Sequence, residues 1–296
     1  MIAPGFTTRF APAPTGYLHL GHAVNAAWTW GLARAFGGRV LLRIEDHDRG
    51  RCRAEYETAL LDDLDWLGFV PDGTSTDDFR RGAQAQRQSD NRARYAAHLA
   101  RLEDAGLAYP CTCARTERYP GTCRGRGIAP DATPARRVVM SPIGAEHFTD
   151  LRLGPQSQDP EAQCGDMLIR DRHGNWTYQF AVVVDDYEQG IDLVIRGEDI
   201  LDSTGRQLRL ARLIGRAEPP RFLHHPLVRH PDGRKLSKSS RDTGLHELRA
   251  AGLSPQQVLG MAAQLGGLHA DSAPVEMAQL ADLVRRIACS TDYAVS

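Results

Sequence analysis

Near the start of the chain the apolar pattern changes period twice. Thr8-Arg-Phe-Ala-Pro-Ala-Pro-Thr-Gly reads as a short strand running into a proline- and glycine-bearing turn. From His22 to Phe36, apolar Val24, Ala27, Trp28 and Leu32 then recur at the spacing of a helix face. Gly37-Gly38 ends that helix. Arg39 to Ile44 carries Val40, Leu41 and Leu42 in one apolar run, as buried parallel strands do, and breaks into Glu45-Asp46-His47-Asp48. Strand, helix, strand is βαβ order. Ligands of open parallel sheets bind beyond the carboxyl ends of the strands, so Arg9, the turn from Pro12 to His22, and Glu45 are expected to converge on one crevice.

Further helices are expected at Glu55 to Leu67 and at Arg87 to Ala105, the latter stopped by Gly106. From Tyr109 to about Leu153 the pattern breaks into short segments rich in Pro, Gly and Arg, with clustered cysteines, and this stretch reads as an insertion. Strand-like sequence returns at Met167 to Ile169, Trp176 to Val184 and Leu193 to Arg196. A helical pattern from Ser203 to Ile214 leads to His225-Pro-Leu-Val-Arg. From Leu245 onward the chain is helical, with Ser254-Pro255 as a cap and first-turn pair. There is no internal repeat.

The 296 residues suit about two domains at roughly 150 residues each. With 42% hydrophobic and 25% charged residues and a net charge of -1, the composition is that of a globular protein. Intrinsic disorder, a collagen-like fold and a globally basic polyanion glove are excluded. No apolar stretch reaches the ~18 residues of a membrane span and the start lacks a signal peptide's charged and apolar regions, so no membrane association and a cytoplasmic location are expected. Six cysteines are too few for a disulfide scaffold in a chain this long. Charge is unevenly placed: residues 111–152 hold seven Arg against four acids, whereas from Asp242 onward three Arg meet six acids. The tail is therefore a poor surface for a polyanion.

Three groups of residues carry candidate chemistry. In Leu18-His19-Leu-Gly21-His22, two imidazoles three residues apart stand at a helix start, where backbone N–H groups favour an anion and a glycine leaves room for a base or phosphate. The bland account is a helix cap with two surface histidines. All but two of the 36 basic residues are Arg, and the exceptions, Lys235 and Lys238, share the stretch Lys235-Leu-Ser-Lys-Ser239. An ammonium on a flexible stem can follow a moving phosphate in a way that a rigid guanidinium cannot. Cys111, Cys113 and Cys123 place three thiols within thirteen residues of polar, glycine-rich sequence, which suits a tetrahedral Zn2+ or, failing that, free thiols or a redox pair. Cys52, Cys164 and Cys289 are isolated and read as structural; Asp46, His47 and Asp48 are adjacent, with side chains pointing apart, and are not read as a metal site.

Taken together, the His19–His22 and Lys235–Ser239 stretches resemble the paired signatures of the class I aminoacyl-tRNA synthetases. The glutamyl and glutaminyl branch is matched by Arg9-Phe-Ala-Pro-Ala-Pro-Thr-Gly, Arg43-Ile-Glu-Asp46, Tyr178-Gln-Phe-Ala-Val-Val-Val-Asp-Asp186 and Arg196-Gly-Glu-Asp-Ile-Leu-Asp-Ser-Thr204. The resemblance covers the chain to about residue 245. Within the branch it is strongest to short members that lack an anticodon-binding domain and pass glutamate to queuosine in tRNA(Asp).

That resemblance implies an α/β fold with a Rossmann-type parallel sheet, an inserted zinc-binding subdomain and a short helical C-terminal segment. Expected divisions are 1–106 and 190–244 for the two halves of the catalytic domain, the second bearing the lysine loop, 107–189 for an RNA-binding insertion, and 245–296 for the tail. It implies catalysis by His19, His22, Lys235 and Lys238, with ATP and its Mg2+ at His19, Gly21, His22 and Lys238. Glutamate is expected at Arg9, Ala11, Ala13, Glu45, Tyr178 and Arg196, and zinc at Cys111, Cys113, Tyr119 and Cys123, the phenolate being the fourth ligand. The implied partners are L-glutamate, ATP and queuosine-bearing tRNA(Asp), acting on a monomer. A short enzyme charging the 3′ end of tRNA(Glu), and a non-catalytic RNA binder, are the alternatives.

Overall fold

The computed structural model describes residues 2, 4–114, 116–141, 144–228 and 244–288. Lys235, Lys238 and Cys289 lie outside them.

Strand β1 (Thr7–Phe10) pairs in parallel with β2 (Arg39–Leu42) through helix α1 (Leu20–Phe36), which gives the βαβ unit read from the pattern. The chain continues into α2 (Ala54–Leu67), α3 (Thr76–Arg81), a 3-10 turn at Gln88–Asn91 and α4 (Arg92–Asp104). A second parallel pair, β8 (Leu193–Gly197) with β9 (Arg221–His225), lies against β1, joined by Asp192 N–H donating to Thr7 O at 2.9 Å. One core runs through both pairs, from Phe10 and Leu42 to Ile195 and Leu223. Helix α1 crosses this core with every side chain from Trp28 to Ala33 buried, covered by α9 (Pro255–Leu265) and α10 (Leu280–Ala288). Helix α8 (Leu245–Ala250) and α9 pack on α2, and Ser254 caps α9 with Pro255 in its first turn, as the sequence indicates.

Two features of the middle region depart from the pattern. Within the stretch read as an insertion, β5 (Glu146–Asp150) and β6 (Gly154–Gln158) form a hairpin that joins the β8–β9 pair, in the order β6-β5-β9-β8. Strands β3 (Ala108–Pro110), β4 (Arg136–Val138) and β7 (Met167–Arg170) make a separate antiparallel sheet.

The second departure is a correction. Of Trp176 to Val184, expected as a strand, only Trp176 is bridged, to Arg170, and from Tyr178 the segment is the start of helix α6 (Tyr178–Glu188). It is packed by α4, β7 and α7 (Thr204–Leu213), and every residue from Phe180 to Asp186 is buried. A helix enclosed on all sides has no polar face to reveal its period, and its run of valines then reads like a strand. Asp185 and Asp186 turn inward to Arg94 of α4, Arg9 of β1 and Arg43 just past β2, which fixes the helical register by long-range contacts.

Candidate active site and cysteine cluster

A cavity of about 380 Å3 opens beyond the carboxyl ends of β1 and β8 and at the start of α1. Arg9, Ala11, His19, Gly21, His22, Glu45, Tyr178 and Arg196 all line it. Ala13 is in the same turn but is not among the lining residues. Asn25, Asp199 and His225 line it too, and motif reading had not singled them out.

The histidines both cap α1 and face the cavity. His19 Nδ1 accepts from Gly21 N–H at 3.1 Å, and His22 Nδ1 accepts from His19 N–H at 3.2 Å, a reciprocal capping box. With both Nδ1 atoms accepting, a neutral ring carries its hydrogen on Nε2, so each imidazole is a donor on its other edge. The bland and the functional accounts are therefore compatible. Gly21 serves the cap: a Cβ there would stand 2.9 Å from His19 Cε1.

At the opposite wall the charged groups are buried and locked together. Arg9 Nε donates to Asp186 Oδ1 at 3.0 Å, Arg43 reaches the same oxygen at 2.7 Å, and Arg43 also bonds Glu45 Oε1 at 3.1 Å. Burial works against the Asp186 carboxylate, but Arg9 and Arg43 outweigh it and hold its pKa below the ordinary range. Burial likewise opposes the Arg43 charge, and Asp186, Glu45 and Asp185 more than restore it. Glu45 is thus kept in place by a cation behind it while its carboxylate borders the cavity.

Arg196 is held by three neighbours. Its Nε donates to His224 Nε2 at 2.9 Å, and its terminal nitrogens donate to Gln207 Oε1 at 2.6 Å and Thr204 Oγ1 at 2.8 Å. His224 in turn places Nδ1 2.6 Å from Asp150 Oδ2, with both side chains fully buried. Because Nε2 accepts from Arg196, Nδ1 carries the hydrogen bonded to Asp150. Burial pushes the His224 pKa down, which keeps the ring neutral beside the guanidinium. Asp186, Asp150, His224 and Gln207 form the support for the cavity's two arginines; Asp186 is 177 positions from Arg9 and Asp150 is 74 from His224, too far for spacing to expose them, whereas Gln207 is 11 from Arg196.

Away from the cavity, Cys111, Cys113 and Cys123 bring their sulfurs within 4.8 Å of one another. The Tyr119 hydroxyl lies 3.4 Å from Cys111 Sγ and 3.5 Å from Cys113 Sγ, and accepts from Cys123 N–H at 2.9 Å. Arg137 Nε donates to Cys111 Sγ at 3.2 Å, its guanidinium lies 3.7 Å over the Tyr119 ring, and its buried second terminal nitrogen has no hydrogen-bond partner. Burial opposes the Cys123 thiolate, yet hydrogen bonds from Tyr119 and Thr112 bring its pKa down to about 6. The Tyr119 phenol is pushed up by burial and by the cysteines. Without a cation these groups resist ionising together; a dication reverses that, and Arg137 offsets part of the negative charge that remains. The residues fit a metal, and among the described residues no other such cluster occurs.

The fold and the cavity define a class I synthetase, and the comparisons agree. The family model for tRNA synthetases class I (E and Q), catalytic domain, matches residues 6–119 and 137–286, so the chain belongs to that family. It is 44% identical to the Glutamyl-Q tRNA(Asp) synthetase of Pseudomonas fluorescens over 82% of this chain and 79% of that protein. It is 41% identical to the protein of that name from Symbiobacterium thermophilum, over 94% and 92% of the two chains. Among solved structures, a glutamate tRNA ligase from Elizabethkingia meningosepticum, in complex with its amino acid, superposes with a TM-score of 0.77 at 25% identity, covering 93% of this chain. This chain spans only 64% of that ligase. No described helix is long and apolar enough to cross a membrane.

Proposed function

We propose that the chain activates L-glutamate with ATP to glutamyl-adenylate, without requiring tRNA, and transfers the glutamate to queuosine at the wobble position of tRNA(Asp). One observation carries this reading: a single cavity has a helix start with two imidazole donors at one wall and a paired-arginine wall at the other. Arg9, Tyr178 and Arg196 take the γ-carboxylate of glutamate, for which a guanidinium fork is suited, and Glu45 takes the ammonium, with Ala11 and Ala13 shaping the pocket. The α-carboxylate then faces the α-phosphorus of ATP and its Mg2+. As a carboxylate oxygen bonds the α-phosphorus, the bond to the bridging oxygen breaks and pyrophosphate leaves. His19, His22 and Lys238 supply donors to the charge that gathers, Gly21 the close approach and Lys235 the ordering of the loop. A queuosine hydroxyl, giving up its proton, then displaces AMP from the glutamyl carbonyl.

Cys111, Cys113, Cys123 and Tyr119 hold Zn2+ as a structural staple for the Arg-rich segment within 107–189, which grips the RNA. The similarity to Glutamyl-Q tRNA(Asp) synthetases over most of both chains favours queuosine over the 3′ end of tRNA(Glu). The test offers labelled glutamate to tRNA(Asp) with and without queuosine, beside tRNA(Glu), and maps the product by nuclease digestion. Label on the anticodon nucleoside supports the reading. Label on the terminal adenosine refutes it in favour of a short glutamyl-tRNA synthetase, and glutamate that is activated but transferred to neither RNA refutes both.

A further inference from the structure

A second cavity, of about 310 Å3, has His47, Arg49, Gln88, Arg92, Asn175 and Trp176 in its lining. His47 stands where the two cavities neighbour one another: it lines the second, and its ring centre is 6.4 Å from that of Tyr178, which lines the first. Neither His47 nor Gln88, Arg92 or Asn175 borders the first cavity.

The placing of His47 is built rather than incidental. Asp185, fully buried in α6, accepts from Tyr95 O–H at 2.8 Å and from Gln88 Nε2 at 2.9 Å. That fixes the Gln88 amide, itself buried, so that its Oε1 faces His47 Nδ1 at 2.6 Å. His47 Nδ1 therefore carries the hydrogen, and in the neutral ring Nε2 presents a lone pair. Three buried groups are spent on orienting one half-buried imidazole that the activation step does not use.

The rest of the lining has the chemistry of a nucleotide site. Arg49 and Arg92 are exposed cations at the rim. The acid among the lining residues, Asp90, is engaged by Gln84 N–H at 3.0 Å and by Arg87 at 3.6 Å. Exposed Asn175 uses its amide nitrogen on Asp171, leaving the amide oxygen as an acceptor. Trp176 adds an aromatic wall. Unstacked RNA bases are recognised by such combinations of polar edges, aromatic surface and phosphate-directed Arg.

We infer that this second cavity binds the acceptor nucleoside of the RNA, splayed out of its strand, with Arg49 and Arg92 on the flanking phosphates, Asn175 on the base edge and His47 Nε2 accepting from a nucleoside hydroxyl. The inference rests on the proposed RNA-glutamylating function and adds where the acceptor enters: past His47, on the side of the glutamate cavity that Tyr178 lines.

The test compares the parent, Arg92→Ala, the Arg49→Ala/Arg92→Ala double variant, His47→Ala, and Arg101→Ala as a charge control on the opposite face of α4. Two steps are read separately: glutamate-dependent exchange of pyrophosphate into ATP, and glutamylation of RNA over a range of salt. The arginine variants should raise the KM for RNA about tenfold or more and flatten its salt dependence by about one unit of log–log slope per arginine. His47→Ala should slow transfer. Exchange should stay within about twofold of the parent throughout, and Arg101→Ala should resemble the parent in both steps. An unchanged KM for RNA and salt slope in the double variant would overturn the inference, as would a raised KM for ATP in exchange, which would assign the cavity to a mononucleotide. The function reading is judged apart, by where the parent places glutamate; the variants are assayed on whichever RNA the parent charges.

Discussion

Arg196, for which we propose a role on the γ-carboxylate, shows how much of a cavity residue's behaviour is set by groups behind the cavity wall. Its three bonded directions point to His224, Gln207 and Thr204, and Phe222 lies beneath the guanidinium at 5.0 Å. A lysine could satisfy one of these acceptors and would leave the others buried without donors. Arg196→Lys should therefore raise the KM for glutamate in pyrophosphate exchange by about tenfold to a hundredfold, since each charge-assisted bond contributes roughly 1.5–3 kcal/mol. The KM for ATP should hardly move; a change in ATP affinity with glutamate affinity intact would detach Arg196 from the carboxylate. In the lysine stretch, Lys238→Ala should abolish exchange without altering the circular dichroism spectrum. Removing one phosphate-directed charge from such a site costs about 3 kcal/mol or more in the transition state. Near-normal exchange in that variant would take the lysine stretch out of the mechanism.

At the scale of elements, packing overrode local pattern most clearly in α6, and it also places an acid in an apolar contact. Asp63 of α2 is 1% exposed where that helix meets α8 and α9, and its Oδ2 has no hydrogen-bond partner. Burial raises its pKa to about 7, against a smaller pull from Arg249. An unfolded aspartate ionises near 4, so between pH ~4 and 7 the unfolded chain releases a proton that the folded chain retains, and Asp63 costs stability as pH rises. Asp63→Asn keeps the shape without the charge. Its melting temperature should match the parent's near pH 4 and exceed it increasingly toward pH 8, by a stability difference of no more than about 4 kcal/mol. A pH-independent offset in thermal scans would show that the carboxyl is ordinary.

For the whole molecule, stability is divided between separate cores. The main one joins the parallel strands to α1, α2, α9 and α10, and a second unites α4, β4, β7, α6 and α7. The cysteine segment has neither: its buried cluster is Cys111, Tyr119 and Cys123, with Tyr109 and Ile128 packed beside it. Structural zinc in such a setting contributes on the order of 10 kcal/mol. Stripping the metal with a chelator at neutral pH should make residues 109–130 the first target of limited proteolysis while glutamate activation, which uses the other core, persists. Cys111→Ser or Cys123→Ser should reproduce that cleavage pattern. Metal analysis finding no stoichiometric zinc in protein that resists cleavage there would remove the staple.

The sequence by itself determined what is carried by neighbours a few positions apart. The strand–helix–strand opening, the capped start of α9, the His19–His22 pair and the spacing of the cysteines follow from local turn, cap and ligand chemistry, and they were legible for that reason. The tertiary structure decided what depends on residues far apart. Arg9 meets Asp186 across 177 positions and Arg43 meets it across 143, so no window of sequence reveals that one carboxylate holds both arginines. The same holds for Asp150 and His224, 74 positions apart, which set the tautomer beneath Arg196. Helix α6 was misread because complete burial erases the polar stripe, and the β5–β6 hairpin because its place in the sheet is given by its pairing with β9. A backbone chooses between strand and helix locally only when one face meets water; where every face is enclosed, the partners make the choice.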